Sequence, residues 1–290
     1  MAVVTTLRPG DGLYPERLGA LADRPPELRL AGSLGSPPRR VAIVGSREPC
    51  PYGDQIAGEL AEGLARAGVS IVSGGALGID TAAHEGALRA GGHTVVVLGT
   101  GVDVPYPASN RRLFERVLAA GGALLSELPD GTPPWRGNFP RRNRIVSGLA
   151  DAVVVVRARE KSGALITADW ARGQGVPVMA VPGDVREPLS AGPLALLRRG
   201  ARLAASAEDV LDLVGLAAAP EPQLTLPALG DGPSALLAAL GRKPRHADEV
   251  AREAGLAAGA ALAGLLELEL AGLCEQRPGH YFLRRGARGI

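Results

Sequence analysis

The chain has 290 residues, 46% of them hydrophobic, with 32 basic and 30 acidic side chains for a formal charge of +2. That length buries a substantial core in one large domain with a small companion, and the near-neutral balance confines any basic surface to a local patch. Two cysteines, Cys50 and Cys274, are too few and too far apart for a disulfide framework or a zinc site, and no apolar run approaches the ~20 residues of a membrane span.

The opening, "MAVVTTLRPGDG", lacks the charged-then-apolar order of a signal peptide, so a soluble cytoplasmic protein with free thiols is expected. Residues 1–38, including "LYPERLGALADRPPELRLAGSLG", read as a short helix and an extended arm packed on the main domain. From there short apolar runs alternate with helical stretches. "RVAIVGS" (40–46), "VSIVSGG" (69–75), "HTVVVLGTG" (93–101), "GALLSEL" (122–128), "DAVVVVRA" (151–158) and "PVMAVPG" (177–183) are apolar throughout, as strands buried on both faces of a parallel sheet are. With "YGDQIAGELAEGLARAG" and "GIDTAAHEGALRAGG" as helices between them, residues 39–215 predict a doubly wound, mostly parallel α/β sheet. Residues 216–232, "LAAAPEPQLTLPALGDG", carry three prolines and read as a linker. Residues 233–290 read as three helices, with a tight turn at Gly255, and a strand pair around "RPGHYF", which is a winged helix-turn-helix.

Four stretches carry chemistry. In "VAIVGSREPCPYG" a strand runs into Gly45, Ser46 and Arg47 and then a helix starting near Tyr52. Such a turn is either an anion site, with Arg47 forking onto a phosphate, or an ordinary βα connection. "SGGALGIDTAAHEGAL" is a glycine-rich turn that matches neither G-x-G-x-x-G nor G-x-x-x-x-G-K-[ST], although Gly74 and Gly75 permit close approach of a phosphate backbone. Asp80 is expected to cap the following helix, and His84 reads as a hydrogen-bonded structural residue rather than a catalyst. The stretch "NFPRRNR" (138–144) reads as a loop. From Arg136 to Lys161 seven basic residues oppose only Asp151 and Glu160, beside Trp135 and Phe139 in a chain with nine aromatic residues. Cations next to rings suit single-stranded nucleic acid, whose unpaired bases stack. Finally, "EKSGALITADW" places Ser162 and Gly163 at a helix start, where capping and anion binding are compatible. No metal-ligand cluster and no nucleophile elbow occurs, and no metal, nucleotide or other cofactor is expected.

Taken together, "YPERLGALADRPPELRLAG", "VAIVGSR", "SGGALGIDTAAHEGAL", "GVDVPYPASNRRLF", "FPRRNRIVSGLADAVVVVRA", "SGALITADWA", "AVPGDV" and "GARLAASAEDVL" resemble the DNA-processing protein A (DprA/Smf) family of bacterial natural transformation, over roughly residues 10 to 290. The resemblance implies an extended Rossmann-like fold, single-stranded DNA binding, a homodimer, and loading of the RecA recombinase onto incoming DNA. Carried over by residue, it implies DNA contacts from Gly45, Ser46, Arg47, Phe139, Arg142, Asn143, Arg144, Lys161, Ser162 and Gly163; Gly74, Gly75 and Arg141 join them from the residue reading. Two departures stand out. Arg157 occupies a position where the family usually has a glutamate, and "SAGPLALLRRGA" lacks the family's asparagine near residue 194. No helical module precedes residue 10, so functions tied to such a module are not expected.

Two other activities fit a chain of this class. A nucleoside-monophosphate phosphoribohydrolase on a related sheet would carry a "PGGxGTxxE" loop, and residues 160–170 have neither its paired glycines nor its acid. A transcription regulator would lead with its recognition helix, yet residues 256–273 contain no lysine or arginine to meet bases or phosphates. The expectation is a non-enzymatic DNA binder whose winged helix is a structural or protein-contact module.

Overall fold

The structure is a computed structural model that describes residues 3–48, 50–217, 230–241 and 243–284. The chain divides into two compact units, 1–219 and 220–290. Most of the expected linker, 218–229, lies outside the described residues.

The first unit begins with β1 (Val4–Leu7), a single-turn α1 (Glu16–Gly19) and β2 (Leu28–Gly32). It continues β3 (Arg40–Val44), α2 (Pro51–Arg66), β4 (Ser70–Ser73), α3 (Ile79–Arg89), β5 (Thr94–Val97), α4 (Arg111–Ala119), β6 (Ala123–Ser126) and α5 (Asn138–Leu149). Then follow β7 (Ala152–Val155), α6 (Gly163–Gly173), β8 (Val178–Ala180), α7 (Ala191–Arg198), β9 (Arg202–Leu203) and α8 (Ala207–Val214). One nine-stranded sheet results, in the order β1-β2-β6-β5-β4-β3-β7-β8-β9. Strands β3 to β9 pair parallel, and β1 and β2 extend the β6 edge antiparallel, Leu30 opposite Leu125.

All six expected strands are present, each shorter than its apolar run because the glycines and small residues at their ends form the turns. Side chains alternate across the sheet as the two-residue period demands. Ala42, Val44, Val153 and Val155 pack on one face with Leu18, Ile145, Leu149 and Ala168. Val41, Ile43, Ala152 and Val154 pack on the other with Leu60, Leu64, Ala83 and Val210. The N-terminal segment departs from the expected arm, since most of its extended part is built into the sheet as β1 and β2. A second departure is more consequential: "NFPRRNR" is the start of α5, not a loop. Pro140 is the third helical residue, where its missing N–H has no i−4 partner to lose, and Ile145, Val146 and Leu149 anchor the helix on the core.

The second unit contains α9 (Asp231–Ala239), β10 (Arg245–His246), α10 (Ala247–Glu253), α11 (Ala258–Leu270), β11 (Cys274–Arg277) and β12 (Tyr281–Arg284). Its strands form an antiparallel sheet, β10-β12-β11, and Leu236, Val250, Leu265, Leu268 and Phe282 fill its core. Gly255, with φ +68°, makes the turn between α10 and α11. The arrangement is a winged helix-turn-helix, as expected. On the outer face of α11, Leu266 and Leu270 are exposed.

His84 of α3 is fully buried and its Nδ1 lies 2.7 Å from Thr94 Oγ1. The Thr94 hydroxyl donates to Ile71 O, so the imidazole Nδ1 carries the proton and Nε2 has no partner. Burial, aided by the Arg142 charge, lowers its pKa from 6.5 to about 3. The folded form holds a neutral ring where the unfolded chain takes up a proton, so stability falls as pH drops below 6.5 towards 3. Urea titrations at pH 7 and pH 5 should show a loss of about 2 kcal/mol from this group. His84→Gln should remove most of that difference, and an unchanged difference would show that another group sets it.

Candidate functional site

The chain leaves β3 in both directions: β4, β5 and β6 lie on one side, β7, β8 and β9 on the other. In an open α/β sheet this switch point leaves a crevice beyond the carboxyl ends of the strands. A cleft of about 610 Å³ occupies it. Gly45, Ser46 and Arg47 follow β3, Gly74 follows β4, and Lys161, Ser162 and Gly163 follow β7; Arg136, Phe139, Arg142 and Asn143 enter from α5 and its approach.

The walls are held by polar contacts that the main chain makes necessary. Asp80, buried at the start of α3, does not cap its own helix as expected. Its Oδ2 accepts from Gly74 N and Ala76 N, both at 3.2 Å, and so closes the glycine turn before the helix. Burial pushes the Asp80 carboxyl up from its usual range, an effect opposed by the Arg142 charge and by the amide bonds. From α5, Arg142 Nη1 donates to Gly74 O at 2.6 Å and to Val97 O. Its own pKa is lowered by burial to about 10, which leaves it charged. Asn110 Nδ2 completes the brace with bonds to Gly75 O (3.0 Å) and Thr81 Oγ1 (2.8 Å). Gly45 is required at the opposite wall, because a β-carbon there would lie 2.6 Å from Ile79 Cγ1 and 2.9 Å from Arg157 O.

Over this frame sit charge and rings. Arg47, Arg136, Arg142, Arg159 and Lys161 line the cleft against Glu48 and Asp80. Arg47 stands 5.6 Å over the Phe139 ring, and the Tyr106 ring lies 5.5 Å from it. Arg159 is forked onto Glu48 through two 2.8 Å bonds, which lowers the Glu48 pKa. Among the described residues no group of three or more His, Cys, Asp or Glu has the arrangement of a metal site.

Comparisons with known proteins converge on one family. The model for "DNA recombination-mediator protein A" matches residues 5–215, and that for the "DprA winged helix domain" matches 217–280. The chain belongs to the DNA recombination-mediator protein A family. A relative from Mycobacterium tuberculosis, described as a DNA processing protein DprA, is 45% identical over 87% of this chain; the chain spans 66% of that relative's length. The crystal structure of DNA processing protein A from Streptococcus pneumoniae superposes with a TM-score of 0.67 at 40% identity, covering 72% of this chain and 73% of that one. DNA processing protein A of Helicobacter pylori, whose structure concerns its single-stranded DNA binding mode, gives a TM-score of 0.65 at 33% identity over 73% of this chain and 97% of its own.

Of the thirteen residues expected at a DNA contact in this recombination-mediator fold, Gly45, Ser46, Arg47, Gly74, Phe139, Arg142, Asn143, Lys161, Ser162 and Gly163 line the one cleft. Three do not. Gly75 (φ +70°) packs over Val96 and Phe114, where a β-carbon would fall 2.6 Å from Val96 Cγ1. Arg144 turns the other way, with Nη2 2.7 Å from Glu127 and Nε 3.1 Å from Asp23. Arg141 projects from the same side of α5 and lies 3.4 Å from Glu127. Within the cleft, roles also differ. The Ser46 hydroxyl accepts from Glu48 N, Ser162 caps α6 by accepting from Ala164 N, and Asn143 donates to Gly163 O to tie α5 to the α6 loop.

Arg157, the family departure, does not line the cleft. It is buried with its guanidinium 4.3 Å from the Tyr52 ring and hydrogen-bonded to Ser190. Tyr106, Arg136 and Arg159 were not singled out from sequence. Arg136 and Arg159 belonged to the basic run already counted, and Tyr106 was legible only as a scarce aromatic in "GVDVPYPASN".

Arg144 and Glu127 are both 5% exposed, so deleting the arginine leaves a carboxylate out of water with only Arg141 nearby. Arg144→Ala should therefore cost on the order of 3 kcal/mol in denaturant unfolding. Lys161→Ala, at an exposed cleft residue, should stay within about 0.5 kcal/mol of the parent. Equal stability of the two variants would refute this division of roles.

Proposed function

We propose that this protein binds single-stranded DNA in the switch-point cleft without chemical turnover. It protects incoming DNA during natural transformation and helps load the RecA recombinase, acting as a homodimer in the cytoplasm. The observation that carries the reading is the pairing of cations with a ring in one crevice: Arg47 over Phe139, flanked by Arg136 and Lys161. Phosphates meet the guanidinium and ammonium groups while an unpaired base stacks on the ring, a combination that tolerates any sequence. The narrow floor of glycines and small residues lets the strand approach the main chain closely. RecA loading and dimerisation rest on membership of the family and on the resemblance of the motifs. The phosphoribohydrolase alternative has less support, since the cleft carboxylates are committed, Glu48 to Arg159 and Asp80 to main-chain amides.

The test is a salt titration with labelled single-stranded and blunt duplex DNA. Single strands should bind more tightly, and with about three to five phosphates neutralised the slope of log affinity against log salt should lie near −2 to −4. Arg47→Ala should weaken binding about tenfold or more while leaving the fold intact. Equal affinity for duplex, or a flat salt response, would refute the cleft as the DNA site. Nucleoside monophosphates incubated with the protein should release no free base above a protein-free control.

A further inference from the structure

We propose that a second groove, beside the cleft and sharing Pro140 with it, holds further nucleotides of the same strand, with Trp170 as the base platform and Arg24 and Arg141 as phosphate contacts. This rests on the cleft being a DNA site. The groove encloses about 570 Å³, and Pro140 belongs to the walls of both cavities. The two cavities use adjoining faces of α6: Ala164 and Thr167 border the cleft, Ile166 and Trp170 the groove. The spacing of Ile166 and Trp170 by four residues puts them on one stripe of that helix. A strand leaving the cleft over Pro140 therefore meets an aromatic surface in the adjoining groove.

The groove's chemistry matches that strand. Trp170 is half-buried, and its indole N–H has no hydrogen-bond partner among the described residues. Arg24 is exposed and has no ion-pair partner among them. The Arg141 side chain is 63% exposed, and its carboxylate, Glu127, is shared with Arg144. Arg24, Arg141 and Arg144 oppose Asp23 in the groove wall; adding the buried Glu127 behind it leaves a balance of +1. A half-buried ring between cations with an excess of positive charge fits a base and its phosphates. An apolar peptide would leave Arg24 and Asp23 facing hydrocarbon.

The protein has two tryptophans, Trp135 and Trp170, so a Trp135→Phe background makes Trp170 the sole indole reporter. Oligothymidylates of about four and about sixteen nucleotides, spanning the usual range of site sizes, are titrated into it. The longer should quench Trp170 fluorescence, and the shorter should bind without quenching. Trp170→Ala and Arg24→Glu should each weaken the longer oligonucleotide about tenfold and leave the shorter unchanged. If Trp170→Ala does not fold, the exposed Arg24→Glu variant and the quenching decide. A silent Trp170 with the longer oligonucleotide, or an Arg24→Glu variant that binds it normally, overturns the groove proposal. A different result, both oligonucleotides binding Arg47→Ala as tightly as the parent, would overturn the cleft itself.

Discussion

The site depends on one buried electrostatic frame, in which Arg142 of α5 spans the ends of β4 and β5 while Asp80 grips the amides of the intervening turn. A guanidinium out of water must bond to something, and here it bonds to Gly74 O and Val97 O, carbonyls left over where the strands stop. Asp80 takes Gly74 N and Ala76 N from the same turn. The two charges offset each other's desolvation across a turn that neither regular structure nor bulk water would satisfy. Because the frame ties α3, α5, β4 and β5 together, the cleft's floor is set by folding and not by a ligand.

Preorganisation of this kind has a bearing on how binding energy is spent. Long cationic side chains ordered only on binding lose rotamer freedom, whereas walls already fixed lose none. In the proposed reading Arg47, Arg136 and Lys161, which have no ion-pair partner among the described residues, work on a floor already fixed by the fold. The other charged residues have separate tasks: Arg144 with Glu127 and Asp23 fastens α5 to the N-terminal segment, and Arg159 holds Glu48 beside the mouth.

Much of this was legible in the sequence, because buried parallel strands leave unbroken apolar runs and each β-to-α turn shows its small residues. The alternation of those runs marked the turns, and the switch point at β3 appears only in the strand order. Two features were not legible. In β1 and β2 the pairing partner decides the structure: "ELRLAG" is a strand because β6 lies open beside it, a tertiary fact with no local mark. The helical start of α5 was hidden by Pro140, which reads as a breaker unless its place in the first turn is known. In a loop the arginines of "NFPRRNR" look equivalent. Helical geometry separates them, sending Arg142 to the floor and Arg144 to Glu127, while Asn143 between them bonds to Gly163 O. A run of like charges in a sequence states how many there are, and only the backbone states where they go.

That separation has a consequence for how this protein tolerates change in length. Successive helical residues point about 100° apart, so a single insertion ahead of Arg142 rotates every later side chain by that angle. Arg142 would move from the strand ends into the place of Asn143 beside Gly163, and Asn143, which carries no charge, would replace Arg144 opposite Glu127. A flexible loop absorbs such an insertion, but here one added or lost codon unseats floor and fastening together. Substitutions within the motif are graded in their effects, whereas a shift of its frame disturbs the floor, the fastening and the core-facing side of the helix at once.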